Sequence, residues 1–185
     1  MESFPSVDRR MNSRNIASFL DNGCSRVLGT VVVTSGATAE HRALLSELEY
    51  AESVHFIEPL AGVAMPKLRA AHLYLGEYAE LWSSSLAPAL TRGGVTISGG
   101  ERDGPLVLGA LQEGVIEVAD VEGLTHLRAP LLRTGSVVVS RAPDLEVVDL
   151  SALVNSERVF LSELESVEQL SFRALAWAGS LELGA

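Results

Sequence analysis

The sequence SVVVSRAPDLEVVDLSALVNS at residues 136–156, followed by ERVFLSELESVEQLSFRALAWA at residues 157–178, contains one apolar pattern twice. Six apolar positions of the first segment recur 22 residues later in the second. The matched pairs are Val137 and Val159, Val139 and Leu161, Leu145 and Val167, Val148 and Leu170, Leu150 and Phe172, and Leu153 and Leu175. Six matches in one register predict a structural repeat of about 22 residues.

The same pattern extends towards both ends of the chain. The two preceding repeats, each offset by 21 residues, carry it at Ile116, Val118, Leu124, Leu127, Ala129 and Leu132, and at Val95, Ile97, Leu106, Leu108 and Leu111. Earlier repeats keep the first two positions, at Val31 and Val33, Val54 and Phe56, and Leu73 and Leu75, while Leu181 and Leu183 begin a further repeat. We therefore expect the repeated positions, Leu150 and Leu170 among them, to form the core.

Each repeat begins with an apolar residue, a variable residue and a second apolar residue, which is typical of a strand with one buried face. A glycine two residues before this triplet indicates a turn with positive φ, and it occurs at Gly29, Gly93, Gly114, Gly135 and Gly179. A repeat of this length is too short for two antiparallel helices. The pattern predicts a mainly β, parallel solenoid of about seven short coils. It favours that fold over a leucine-rich repeat, because the asparagine ladder of that class is absent.

The chain is expected to form a single domain, because its 185 residues contain no stretch that resembles a linker. Residues 1–11 are predicted to be a flexible N-terminus, and residues 12–185 a solenoid with a helical cap over 12–23 and coils over 24–185. The cap is predicted from a capping residue and three apolar residues on one side of a helix: Asn12 or Ser13, and Ile16, Phe19 and Leu20.

The predicted cap is followed by a characteristic order of residues: Asn22, Gly23 and Cys24, then Val27, Leu28 and Gly29, then the strand from Val31 to Val33. This order is similar to the opening of the receptor L-domain family, which includes the ligand-binding domains of the insulin and epidermal growth factor receptors. The resemblance extends from Ile16 to Leu183. It implies a right-handed β-solenoid that binds other proteins and carries no catalytic residues. Extracellular members tie the cap down with a disulfide, whereas Cys24 is the single cysteine here.

Charge and targeting signals narrow the range of partners. The formal net charge of −10 would repel nucleic acids and anionic membrane surfaces, so neither is expected to bind. Residues 1–15 lack the apolar core of a secretory signal, and Cys24 is expected to be a buried thiol. We therefore expect a cytoplasmic protein.

No arrangement of residues predicts an enzyme, a cofactor or a metal centre. The histidines fall in different repeats without the spacing of metal ligands, at His41, His55, His72 and His126. Acidic residues do stack along one predicted corner, where Asp120 and Glu122 precede Arg141 and Asp144 by one repeat and Glu163 and Glu165 by two. A carbohydrate-active β-helix enzyme could use such carboxylates, but those enzymes build their clefts from large loops. A solvated acidic corner is the favoured interpretation.

The middle residue of each apolar triplet is predicted to point outward, so that these residues form a column along the solenoid. The column contains Val32, His55, Tyr74, Thr96, Glu117, Val138, Phe160 and Glu182. Outward aromatic and aliphatic residues suit protein recognition, although scattered surface hydrophobes are also normal. The predicted partner-binding residues are His55, Tyr74, Glu117, Val138 and Phe160 on this face, with Asp120 and Glu122 at the acidic corner.

Two functions of different classes fit these features. The first is a non-enzymatic protein-binding module, such as an acidic immunity or inhibitor-like protein, that docks a basic or mixed partner. The second is a structural protein that forms homo-oligomers through the open edge of its last coil, at Leu181, Glu182 and Leu183. Salt-dependent binding of a partner would indicate the first function, and concentration-dependent filaments the second.

Overall fold

The computed structural model describes residues 25–33, 39–57, 63–77 and 86–184. These residues form twelve strands and one helix. The strands are β1 (Arg26–Val33), β2 (Tyr50–Phe56), β3 (Ala70–Gly76), β4 (Arg92–Ser98), β5 (Glu101–Val107), β6 (Glu113–Ala119), β7 (Glu122–Arg128), β8 (Thr134–Ser140), β9 (Val147–Asp149), β10 (Asn155–Ser162), β11 (Gln169–Ser171) and β12 (Trp177–Leu183), and the helix is α1 (Ala39–Glu47).

The strands build two parallel sheets. The long sheet has eight strands in the order β1-β2-β3-β4-β6-β8-β10-β12, and the short sheet has four in the order β11-β9-β7-β5. The four coils from β4 to β11 therefore each contribute one strand to the long sheet and one to the short sheet, and β12 adds a last strand to the long sheet. The mainly β solenoid of about seven turns predicted from the repeat is confirmed.

Equivalent apolar residues of successive coils lie beside one another. In the long sheet Ile116 pairs with Val95 on one side and with Val137 on the other. In the short sheet Val148 pairs with both Leu127 and Leu170. All six apolar positions of segment 136–156 are completely buried. The sequence repeat is therefore the coil of the structure, and its apolar positions form the core.

A column of glycines allows three consecutive coils to approach closely. Gly93, Gly114 and Gly135 have φ angles of 113°, 154° and 151°. A Cβ atom on Gly114 would lie 1.9 Å from the carbonyl oxygen of Gly93. Because no side chain fits at that distance, these positions require glycine. The predicted positive φ is correct at these three glycines, but they lie within strands and not in a turn, and Gly179 has no positive φ.

Gly179 lies outside the glycine column because β10 contains one residue more than β8 near its N-terminal end. Gly135 pairs with Ser156 and Ser136 pairs with Arg158, so that Glu157 is left as the extra residue of a bulge. The repeat accordingly lengthens from 21 to 22 residues between β8 and β10. Ser156 replaces glycine in the column, and its hydroxyl lies 2.8 Å from the carbonyl oxygen of Gly135.

Helix α1 was not anticipated from the repeat, which is defined by strand positions alone. It lies between β1 and β2 and buries Leu44 and Leu45. Glu40 in its first turn interacts favourably with the positive end of the helix dipole. The predicted cap over residues 12–23 and the buried thiol of Cys24 lie outside the described residues.

The core prediction is wrong for three exposed leucines near the C-terminal end of the stack: Leu170, Leu181 and Leu183. Leu170 occupies the same column as Val148, yet 40% of its surface is exposed, whereas Val148 is fully buried. The reason is its place in the stack: β11 is the edge strand of the short sheet, so Leu170 is covered by a neighbouring coil on one side only. Position within a coil does not guarantee burial in the last coil.

The different burial of Leu150 and Leu170 predicts that a leucine-to-aspartate substitution destabilises the protein unequally at the two positions. Leu150→Asp places an unpaired carboxylate in a fully buried site and should lower the free energy of unfolding by more than about 3 kcal/mol. Leu170→Asp, exposed to water, should lower it by about 1 kcal/mol. Urea unfolding followed by circular dichroism measures both. Equal losses would contradict the burial described for the last coil.

The glycine column predicts a second pair of outcomes. Gly114→Ala should destabilise the protein by at least about 2 kcal/mol, because the new Cβ meets a main-chain oxygen and the φ angle is unfavourable. Gly109→Ala is the matched control, since a Cβ there has no atom within 4 Å. Thermal melts of the two variants should differ clearly, and a fully stable Gly114→Ala protein would show that the coils can separate at this point.

Candidate protein-binding face

The outer face of the long sheet carries the outward column predicted from the sequence. Main-chain pairing places its residues in successive strands in the order Val32, His55, Tyr74, Thr96, Glu117, Val138, Phe160 and Glu182. We call this set the outer column. A second outward column, two residues earlier in each strand, includes His72 and Arg158. Five of the seven predicted binding residues therefore share one face.

Aromatic rings are concentrated on β2 and β3. The ring of Tyr74 contacts two imidazoles, with centroid distances of 4.3 Å to His55 and 4.4 Å to His72. The His72 ring is stacked on the phenol, and the His55 ring is tilted by 38°. The two ring contacts restrict the orientation of Tyr74, which reduces the entropy that the side chain would lose on binding.

A chain of hydrogen bonds connects this aromatic group to β6. Nε2 of His72 lies 2.7 Å from Oγ1 of Thr96, which donates to Oε2 of Glu117 at 3.1 Å. A threonine hydroxyl has one proton, so His72 must donate through Nε2–H. Burial lowers the pKa of His72, and His55 acts in the same direction, while Glu117 opposes the shift. The His72 ring is therefore neutral at pH 7.

Two adjacent apolar side chains lie in the C-terminal half of the outer column, between Glu117 and Glu182. Val138 and Phe160 are neighbours on β8 and β10, and both side chains are half-buried. The guanidinium of Arg158 lies over the Phe160 ring, 4.9 Å from its centroid. This cation–π contact covers one part of the ring and places a positive charge beside it.

A shallow groove of about 370 Å³ follows the N-terminal ends of β8, β10 and β12. Gly114 and Gly135 form part of its wall because they have no side chains. The groove is lined further by Thr134, Asn155, Glu157 and Trp177. The groove therefore combines the Glu157 carboxylate, the neutral polar side chains of Thr134 and Asn155, and the Trp177 indole. It lies at one border of the outer face.

The acidic corner lies at the opposite border, where the strands of the long sheet end. Asp120, Arg141 and Glu163 occupy one position of three successive coils, with φ angles of 58°, 50° and 53°. Left-handed backbone is uncommon for residues other than glycine, and main-chain bonds hold it here. Asp120 N–H donates to the carbonyl of Ser140, and Arg141 N–H donates to that of Ser162.

Side chains reinforce this stack. Arg141 binds Asp120 through Nε and Nη2, the latter at 2.7 Å, and its Nη1 lies 4.0 Å from Glu163. The hydrogen bond from Arg141 lowers the pKa of the Asp120 carboxyl and raises that of the guanidinium. Asp144 accepts a hydrogen bond from the main-chain N–H of Gly123 at 2.8 Å. Part of the acidic corner is therefore occupied by contacts within the chain.

The described residues contain no group of three or more His, Cys, Asp or Glu side chains able to hold a metal ion. Within this part of the chain, no helix has the length and apolar character needed to cross a bilayer.

Sequence reasoning located the outer column but missed the contacts that organise it. His72, Arg158 and Trp177 were not among the predicted binding residues. The signal for the first two was present, since each lies two residues before a member of the outer column on the same strand face. The role of Arg141 as the centre of an ion-pair stack was also readable from its 21-residue offset from Asp120.

Comparison of the chain with protein-family models, curated proteins and solved structures finds no match. The features of the outer face therefore have to be interpreted from their own chemistry. What they define is a β-solenoid with a mixed aromatic, aliphatic and polar sheet face.

The lowered pKa of His72 predicts how stability depends on pH. The folded protein favours the neutral ring, so stability should fall as the pH drops below the unfolded value of about 6.5 and level off below the folded pKa. The melting temperature should therefore decrease from pH 7 to pH 5, and less so in His72→Gln. His126→Gln, on the short sheet, is the control and should retain the decrease. An unchanged pH dependence in His72→Gln would contradict the assignment.

Proposed function

We propose that this chain is a non-enzymatic protein-binding domain that docks a partner protein on the outer face of its long sheet. The observation that carries the proposal is the register of the outer column, which brings side chains from eight strands onto one surface. The same proposal includes three further points: a cytoplasmic, inhibitor-like role, a right-handed winding of the solenoid, and a relationship to the receptor L-domain family. Right-handed crossovers are the rule for parallel strands.

The size of the face suits a protein partner. Eight strands spaced about 4.8 Å apart extend over roughly 34 Å, and strands of seven residues are about 23 Å long. The resulting area of roughly 800 Å² equals what one partner contributes to a standard protein–protein interface. A small ligand would use only a fraction of this surface.

Phe160 and Val138 are the proposed anchor of the interface. They form the apolar part of the outer column, and aromatic side chains near the centre of an interface commonly carry much of the binding energy. Tyr74, in contact with the His55 and His72 rings, provides a second and more polar anchor. The groove beside Trp177 and Glu157 can receive a long polar or basic side chain of the partner.

The acidic corner is proposed to select for a partner with basic residues. Glu101, Asp120, Glu122, Asp144, Glu163 and Glu165 cluster there, and the chain has a net charge of −10. Such a field accelerates encounter with a basic surface and contributes less to the lifetime of the complex. Because Arg141 engages Asp120, charge reversal at Glu122 is the cleaner test of steering: it should slow association without breaking the stack.

The double variant Phe160→Ala/Val138→Ser tests the anchor. Truncation of an interface anchor typically costs about 2 kcal/mol, so affinity should fall roughly thirtyfold. The melting temperature should change by a few degrees at most, because both side chains are only half-buried. Partners are first captured on the immobilised parent chain, identified by mass spectrometry and then titrated in purified form by calorimetry.

The matched control is Val147→Ser/His126→Ala, which removes similar groups from the outer side of the short sheet. A specific partner binds the parent and the control equally and the Phe160/Val138 variant weakly. If the variant binds as tightly as the parent, the outer face is not the docking surface. If only the control loses binding, the short sheet takes that role.

A further inference from the structure

Arg158 places a positive charge inside the apolar anchor of the outer face. The residue is exposed, and its guanidinium lies over the ring of Phe160, 4.9 Å from the centroid. Main-chain pairing puts Ser136 of β8 on one side of Arg158 and Ser180 of β12 on the other. A guanidinium and two hydroxyl groups therefore form a short row across three strands, beside Phe160 and Val138.

The hydrogen-bonding capacity of this row is not used within the described residues. There, no carboxylate pairs with the Arg158 guanidinium, and the hydroxyls of Ser136 and Ser180 form no hydrogen bond. Arginine carries five N–H donors at the edge of a planar group, and stacking on an aromatic ring leaves that edge free. The row is therefore a set of donors that an external acceptor can reach.

Two other arginines at the borders of the outer face have carboxylates of their own. Nε of Arg92 lies 3.7 Å from Glu113, and Arg141 binds Asp120 at the acidic corner. These contacts neutralise the two guanidinium groups inside the chain. The charge of Arg158 differs because it is available to a partner, although the net charge of the chain is −10.

Docking on the anchor has a direct consequence for this charge. A protein that covers Phe160 also covers the guanidinium that lies on its ring. Removal of an unpaired charge from water strongly opposes binding, so the partner has to bring an acceptor for Arg158. A carboxylate matches the planar guanidinium through two parallel hydrogen bonds, and it also accepts from neighbouring hydroxyl groups.

We propose that Arg158, with Ser136 and Ser180, binds a carboxylate of the partner protein, next to an apolar side chain that packs on Phe160 and Val138. This inference rests on the proposed function, because it names the partner chemistry recognised at the same face. Together with the acidic corner, it describes a partner that is basic overall but has an acidic side chain beside its apolar contact. The acidic corner accelerates encounter, whereas Arg158 rejects basic surfaces that lack the carboxylate.

Short random peptides displayed on phage test this chemistry with a defined probe. Peptides are selected on the immobilised parent chain, and those that also bind the Phe160→Ala/Val138→Ser protein are discarded. The remaining peptides should be enriched in Asp or Glu beside a large apolar residue, and selection on Arg158→Gln should lose only the acidic enrichment. Equal acidic enrichment on both proteins, or none on the parent, overturns this inference and leaves docking on the face intact. If no peptide depends on Phe160 and Val138, docking on the outer face is itself overturned.

A double-mutant cycle then assigns the contact. One selected peptide and its counterpart with the carboxylate changed to the amide are titrated by fluorescence anisotropy. Arg158→Gln should weaken binding of the acidic peptide roughly tenfold or more and leave the amide peptide nearly unaffected. Arg158→Lys should recover only part of the loss, because an ammonium cannot form two parallel bonds. Arg128→Gln, an exposed arginine of the short sheet, is the control and should bind like the parent. Equal losses for both peptides would show that Arg158 acts only by packing on Phe160, which overturns the proposal.

Discussion

The fold depends on one constraint, which is that each coil must place equivalent residues beside those of its neighbours. A single coil has too few residues to enclose a core, so its apolar side chains are buried only by the coils on either side. The main chain follows the same rule, because parallel strands form hydrogen bonds only with adjacent coils. Glycines at positions 93, 114 and 135 permit this close approach, and the bulge at Glu157 absorbs an additional residue without loss of register.

The same register that builds the core also builds the surface. Residues that are 21 or 22 positions apart become neighbours, so a chain with dispersed charges acquires compact groups such as Asp120, Arg141 and Glu163. The Asp120–Arg141 contact is exposed and adds little stability by itself. Its main effect is to pair the Asp120 carboxylate with a guanidinium, so that this carboxylate is engaged within the chain. The outer face is the more chemically varied surface.

A stack of repeats also has an end, and the end is not equivalent to the middle. Leu170, Leu181 and Leu183 have the residue types of core positions but only one neighbouring coil in the described structure.

The sequence by itself determined the coil, its length and the two faces of its strands, because apolar residues at fixed spacing can be buried only by stacking. It also identified the outer column from alternation within each triplet. Tertiary structure alone decided the place of α1, the side chains that contact one another, and the exposure of the last coil. The hydrogen bonds from His72 through Thr96 to Glu117 depend on the offset between adjacent strands, which repeat spacing does not specify. Exposure of Leu170 depends on whether a neighbouring coil exists, which is a property of the stack and not of the residue.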